Sequence, residues 1–95
     1  MNSNKRPIGW FTIDFREVER WQEFLPALSR FFVVRCDADY ATRSFVYVAF
    51  SDLFQEIDAC IAPPRYDLTF VRDDKGKVHL KSVALSPIQG GLYGR

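Results

Sequence analysis

The chain has 95 residues, of which 47% are hydrophobic and 16% aromatic, and its thirteen basic side chains stand against twelve acidic ones for a formal charge of +1. That apolar content excludes a disordered chain, and the length supplies one core and no more. Near-neutrality excludes a chain-wide field that would draw in nucleic acid or anionic membrane, so charged recognition has to come from local patches.

The polar opening Met1 to Pro7 lacks the charged start and apolar run of a secretory leader, and is expected to be a flexible N-terminus. Ile8 to Ile13 is rich in aromatic and β-branched residues and predicts a strand. Asp14 with Glu17 has capping-box spacing, which predicts a helix start. Val18, Trp21, Leu25, Leu28 and Phe32 then recur at three- and four-residue steps as one apolar face, and Pro26 predicts a kink or break within it. Phe31 to Cys36 and Ser44 to Phe50 predict a hairpin across the polar stretch Asp37 to Arg43. Ser51 or Asp52 is placed to cap a second short helix carrying Leu53, Phe54, Ile57 and Ile61, stopped by Pro63 and Pro64. Tyr66 to Val71 and Lys77 to Leu85 predict a second hairpin, turned at Asp73-Asp74-Lys75-Gly76. Ser86 to Arg95 holds three Gly and a Pro and is expected to be a mobile tail. No apolar run approaches the ~20 residues of a membrane span. These features together predict a soluble cytoplasmic protein with a single domain over residues 8–85 and no membrane partner. Its two cysteines, Cys36 and Cys60, are expected to be reduced and buried.

The element order matches a two-layer α+β sandwich of the ferredoxin-like kind, with an antiparallel sheet, two helices on one face and an extra C-terminal hairpin strand. The other face of the sheet is expected to be open. Catalytic chemistry finds no foothold in the pattern. His79 is the only histidine and has no companion ligands at metal spacing, so a half-exposed strand position is expected. Asp37, Asp39, Asp73 and Asp74 fall at turns, where carboxylates bond their own backbone. Gly90-Gly91-Leu92-Tyr93-Gly94 opens no helix and so lacks the N–H cluster of a phosphate loop. No catalytic residue, metal or cofactor is assigned.

Arg43 to Phe50 (Arg-Ser-Phe-Val-Tyr-Val-Ala-Phe) resembles the octamer of the RNA recognition motif, with six of eight positions fitting. Ser44 and Val46 stand where that family has Gly and a small residue. In the companion hexamer, Trp10 to Phe15, Phe11 is the residue that fits. The resemblance implies that Phe45 and Tyr47 stack bases on the open face, that Arg43 holds phosphate, and that Val46, Val48 and Phe50 point into the core. Phe11, Arg35 and Arg72 complete the expected surface for single-stranded RNA.

Any strand alternating aromatic and aliphatic residues matches much of the same octamer, so a second function stays open. It is a protein-binding adapter or a small inhibitor acting by steric blocking, as anti-CRISPR-like phage proteins do against nucleoprotein defence complexes. Abundant Tyr, Trp, Phe and Arg suit a protein interface. A homodimer through the open sheet or the last hairpin's edge strand is the third possibility.

Overall fold

Alternating side chains in the first hairpin and the opening strand build the central sheet of the computed structural model, which describes residues 4–18 and 21–89 except for the side chains of Trp21 and Leu25. Strands β2 (Ile8–Asp14), β3 (Phe32–Asp39) and β4 (Ser44–Phe50) pair antiparallel in the order β2-β4-β3. The register sets Gly9 opposite Ala49, Phe11 opposite Tyr47 and Ile13 opposite Phe45 on one face, and Trp10 opposite Val48 on the other. Before β2, the short strand β1 (Lys5–Arg6) pairs with β5 (Ile57–Asp58), so this part of the expected flexible N-terminus is held; Met1 to Ser3 lie outside the described residues.

A helical segment begins where the capping pattern places it. The Asp14 carboxylate accepts the Arg16 N–H at 2.8 Å, and α1 (Phe15–Val18) follows. Next come α2 (Trp21–Phe24) and a 3₁₀ turn over Leu25–Leu28 that contains Pro26, the expected break. Of the apolar stripe, Val18 and Leu28 pack on the core, while the side chains of Trp21 and Leu25 lie outside the described residues. Phe32 departs from it. The ring belongs to β3 and is 71% exposed, because the chain has already turned into the sheet by Phe31.

The second helix does not form, and its backbone donors show why. Ser51 Oγ accepts the Leu53 N–H, and the Ser51 carbonyl accepts the Phe54 N–H, which closes one turn. Continuation would send the Gln55 N–H to that same carbonyl. Instead it donates to Tyr66 Oη at 2.9 Å. Ile57 and Asp58 then join β5, and the Ala59 N–H donates to the Asn4 carbonyl. Phe54, freed from a helical face, sits buried in the core.

The second hairpin forms as expected, with β6 (Tyr66–Arg72) antiparallel to β7 (Val78–Leu85) and a bulge between Thr69 and Phe70. Gly76 takes φ +82° in its turn, a conformation that side chains with a Cβ adopt at a cost. This hairpin is a separate two-stranded sheet. It meets β2 through the Trp10 N–H donating to the Pro64 carbonyl and a single parallel bridge from Trp10 to Arg65. The protein is therefore α+β with mostly antiparallel strands. In place of a second helix, the hairpin and the Phe54 loop cover the Phe11 face of the central sheet: Leu68, Phe70, Leu80 and Val83 pack against the cluster of Phe11, Ile13, Phe31, Ala49, Phe54 and Tyr66. Part of the expected tail is docked as well. The Ser86 N–H donates to the Arg65 carbonyl, and the Gln89 amide bonds both backbone groups of Arg65. Residues 90–95, with Leu92 and Tyr93, lie outside the described residues.

Gly9 and Ala49 make a shelf for stacked rings. Phe54 and Tyr66 lie with centroids 4.3 Å apart, and a Cβ on Gly9 would fall 2.6 Å from the Tyr66 ring. Gly9→Ala should therefore destabilise the fold by about 1–3 kcal/mol, the usual range for overpacking. Thermal unfolding of Gly9→Ala, Tyr66→Leu and the double variant checks this: the double variant should lose less than the sum, because the clash disappears with the ring.

Candidate functional site

Of the six residues expected to form an RNA-binding face, Phe11, Phe45 and Tyr47 are brought together on one face, with the Phe45 and Tyr47 rings 6.4 Å apart, whereas the three arginines are not. Phe11 is 0% exposed, within 5.0 Å of the Phe31 ring and 5.5 Å of the Tyr47 ring by centroid. Tyr47 and Phe45 are half-buried on the same covered face as Phe11, and Phe45 packs on Phe15 at 4.7 Å. Val46 and Val48 are buried as expected, but beside Trp10 on the second face. The expected open aromatic face is thus replaced by a sheet buried on both sides along its middle, since the hairpin and the helical segment occupy one face and Arg65 lies over the Trp10 ring on the other at 5.3 Å. Phe50, placed in the core by the octamer pattern, is only half-buried, opposite Ile8 and Phe32.

The arginines are dispersed. Arg35 pairs with Asp37 at 2.8 Å on the face away from Tyr47. Arg72 belongs to the other sheet, where its guanidinium pairs with Glu23 and donates to the Gly76 carbonyl at 2.7 Å, tying the hairpin to α2. Arg43 holds a positive φ of 54° in the β3–β4 turn, and its carbonyl accepts the Phe15 N–H. With Asp14, Phe15, Arg16, Tyr40 and Thr42 it lines an open cleft of about 700 Å³. Arg16 in that cleft is paired with Asp14, whose carboxyl is held below the usual range chiefly by the Arg16 backbone N–H and side chain.

What the fold does assemble is an unpaired edge. β3 has β4 on one side and no described strand on the other. Along it, Phe32, Val33 and Val34 are all exposed, with Tyr40, 80% exposed, just beyond its end. A bulge at Val34 shifts the register between Val33 and Arg35. Phe32 and Val33 also form the rim of an apolar groove of about 360 Å³, whose wall includes Ile13, Val18, Leu28, Phe31 and Tyr47. Backbone hydrogen-bonding groups and apolar side chains are thus presented side by side. The sequence carried one signal of this edge: Phe31-Phe32-Val33-Val34 does not alternate, so a strand through it must place apolar groups on both faces.

Other candidates settle into structural roles. Asp73 accepts the Lys75 and Lys77 N–H groups and bonds His79 Nε2 at 2.8 Å, which fixes the hairpin turn and holds its carboxyl below the usual range. Asp39 accepts the Ala41 N–H. Cys36 and Cys60, expected to be buried, are both exposed: Cys36 lies on the edge strand and Cys60 in the turns after β5. Among the described residues no group of three or more His, Cys, Asp and Glu is arranged to hold a metal ion, and no helix is long and apolar enough to cross a membrane. Comparison with protein-family models, curated proteins and solved structures returned no match to this chain.

Burial pushes the Tyr47 phenol up to about 12, with the neighbouring Cys36 thiolate and a hydrogen bond to Cys36 acting in the same direction. The Cys36 thiol is also raised, first by its own partial burial. A folded-state value above the unfolded ~10 means that Tyr47 contributes stability in full below that pH and loses it as pH rises toward its folded-state value. In a near-ultraviolet phenolate titration the late ionisation of Tyr47 should be missing in Tyr47→Phe, with the native stability of the parent falling above pH ~10.

Proposed function

We propose that this chain is a non-catalytic protein-binding module that receives an extended segment of its partner along β3, with an apolar side chain of that segment seated in the adjoining groove. The observation that carries it is the run Phe32-Val33-Val34, exposed on an unpaired strand beside an apolar recess. Natural sheets blunt their edges with charge, Pro, a bulge or a covering element; β3 has charge from Arg35 to Asp39 and a bulge at Val34, and the exposed apolar run Phe32-Val33-Val34 beside the groove is the part that strand addition would use. Main-chain bonds would supply affinity and the groove would supply selectivity. A module of this size that occupies a partner's strand suits an adapter or a steric inhibitor.

Single-stranded RNA is the second reading, relocated from the sheet face to the cleft at the β3–β4 turn. There the exposed Tyr40 ring lies 5.7 Å from Phe15, and Arg16 and Arg43 line the same wall. Stacking on an aromatic ring is worth about 1–3 kcal/mol per base. With Arg16 already engaged by Asp14, the cleft offers fewer uncommitted contacts than the strand edge does.

The two readings separate in one experiment. A protein captured by the parent and by Ile61→Lys, but lost with Phe32→Lys, Val34→Lys, is the expected result, with circular dichroism showing all three folded. Saturable, salt-weakened fluorescence anisotropy with labelled single-stranded RNA, unchanged by the Phe32→Lys, Val34→Lys pair and abolished by Arg16→Glu, Arg43→Glu, would instead establish the cleft as the site.

A further inference from the structure

The face of the central sheet opposite Phe11 carries a small recess of about 150 Å³ that none of the roles above uses. The antiparallel register puts Trp10 and Thr12 of β2, Ser44 and Val46 of β4 and Asp39 of β3 on this one face, so side chains from three strands converge on it. Trp10 and Val46, both buried, make an apolar floor. Arg65 stands on the β2 side, over the Trp10 ring, and Asp39 on the β3 side. Opposite charges thus border the same space from its two sides. Between them the Thr42 and Ser44 hydroxyls lie 2.7 Å apart; one donates to the other, which leaves the second free to donate elsewhere.

Two donors in the wall of this recess are unmet. The indole Nε1–H of Trp10 and the Nε–H of Arg65 are both buried and find no hydrogen-bond acceptor among the described residues. Asp67 Oδ1, 3.9 Å from Arg65 Nε, is an ion-pair neighbour too distant to accept that hydrogen. Buried donors are paired as a rule, so the Arg65 side of the recess holds positive charge that the fold leaves uncompensated. Asp39 has capacity as well. Its Oδ1 accepts the Ala41 N–H at 3.1 Å, and a carboxylate can accept several more bonds.

We propose that this recess binds a small zwitterion, a free amino acid with little or no side chain, with its carboxylate toward Arg65 and Trp10 and its ammonium toward Asp39. A bare anion would be repelled by Asp39 and a bare cation by Arg65, whereas a ligand bearing both signs is favoured on both sides. The volume sets the size. It is that of about five water molecules at ~30 Å³ each, which suits a molecule of few non-hydrogen atoms. The site lies on the sheet face and not along the outer edge of β3, so it stands or falls apart from the proposed protein contact.

Titration of the folded chain with glycine, β-alanine, γ-aminobutyrate, acetate and methylammonium tests this, read by the indole N–H signal of Trp10 in nitrogen-correlated NMR spectra. The chain has two tryptophans, and the Trp10 signal is the one retained in Trp21→Phe. At least one of the three amino acids should shift it saturably, and acetate and methylammonium should each bind at least about tenfold more weakly, since each forgoes one charge-assisted contact. Asp39→Asn keeps an acceptor for the Ala41 N–H, and Arg65→Gln keeps the backbone bonds to Ser86 and Gln89. Each should weaken amino-acid binding by about tenfold or more, while Asp39→Asn should bind acetate more tightly than the parent does. A Trp10 signal that none of the amino acids moves overturns the proposal. Acetate binding to the parent as tightly as the amino acids do overturns it too, by showing a site for anions alone. The five titrations of the parent decide the matter even where Arg65→Gln fails to fold.

Discussion

The architecture depends on the contact of the Tyr66 ring with the backbone of Gly9. A residue with no Cβ and a neighbour with only a methyl, Ala49, leave a shallow place on the central sheet into which Phe54 and Tyr66 stack. The ring thereby anchors the start of β6, and its hydroxyl accepts the Gln55 N–H, which fixes the loop after β4 in a non-helical course. One aromatic side chain therefore decides two matters at once: where the second hairpin docks, and that no helix forms between β4 and β6. Aromatic pairs of this kind contribute about 0.5–1.5 kcal/mol beyond their buried area, so the shelf holds through accumulated contacts and not through any single strong bond.

Covering the Phe11 face in this way has a consequence at the far side of the sheet. The hairpin lies over β2, whose outer side is engaged by Pro64 and Arg65. Among the described residues, the opposite edge, β3, receives no such cover. Two kinds of apolar surface result, one closed by the chain's own aromatic rings and one left at the rim of the groove by Phe32 and Val33. The closed surface gives stability, whereas the open one is the edge on which the proposed contact rests. The arginines divide in the same way: Arg65 and Arg72 hold elements together, while Arg35 stands on the edge strand.

Much of the chain was legible because its signals are local. Alternation located β2 and β4, Asp14 located the helix start, Pro26 located the break, and the Asp73 to Gly76 turn located the second hairpin. The helix expected after Ser51 failed where a local signal met a distant competitor. Its cap did form, since Ser51 Oγ accepts the Leu53 N–H, but Tyr66 took the next donor. The face assignment of the octamer failed for a related reason. Alternation correctly put Phe45 and Tyr47 opposite to Val46 and Val48, yet which of the two faces is covered depends on where the hairpin lies, and both faces proved to be buried.

The sequence by itself determined the α+β class, the five longer strands and the two hairpins among them, the helix start and the near-neutral charge, because each follows from neighbours within a few positions. Only the tertiary structure decided that Phe11 is sealed, that Cys36 is exposed, and that Phe32 to Val34 border a groove. Those outcomes depend on the docking of Tyr66 onto Gly9, a contact between residues far apart in the chain whose steric condition no periodicity records.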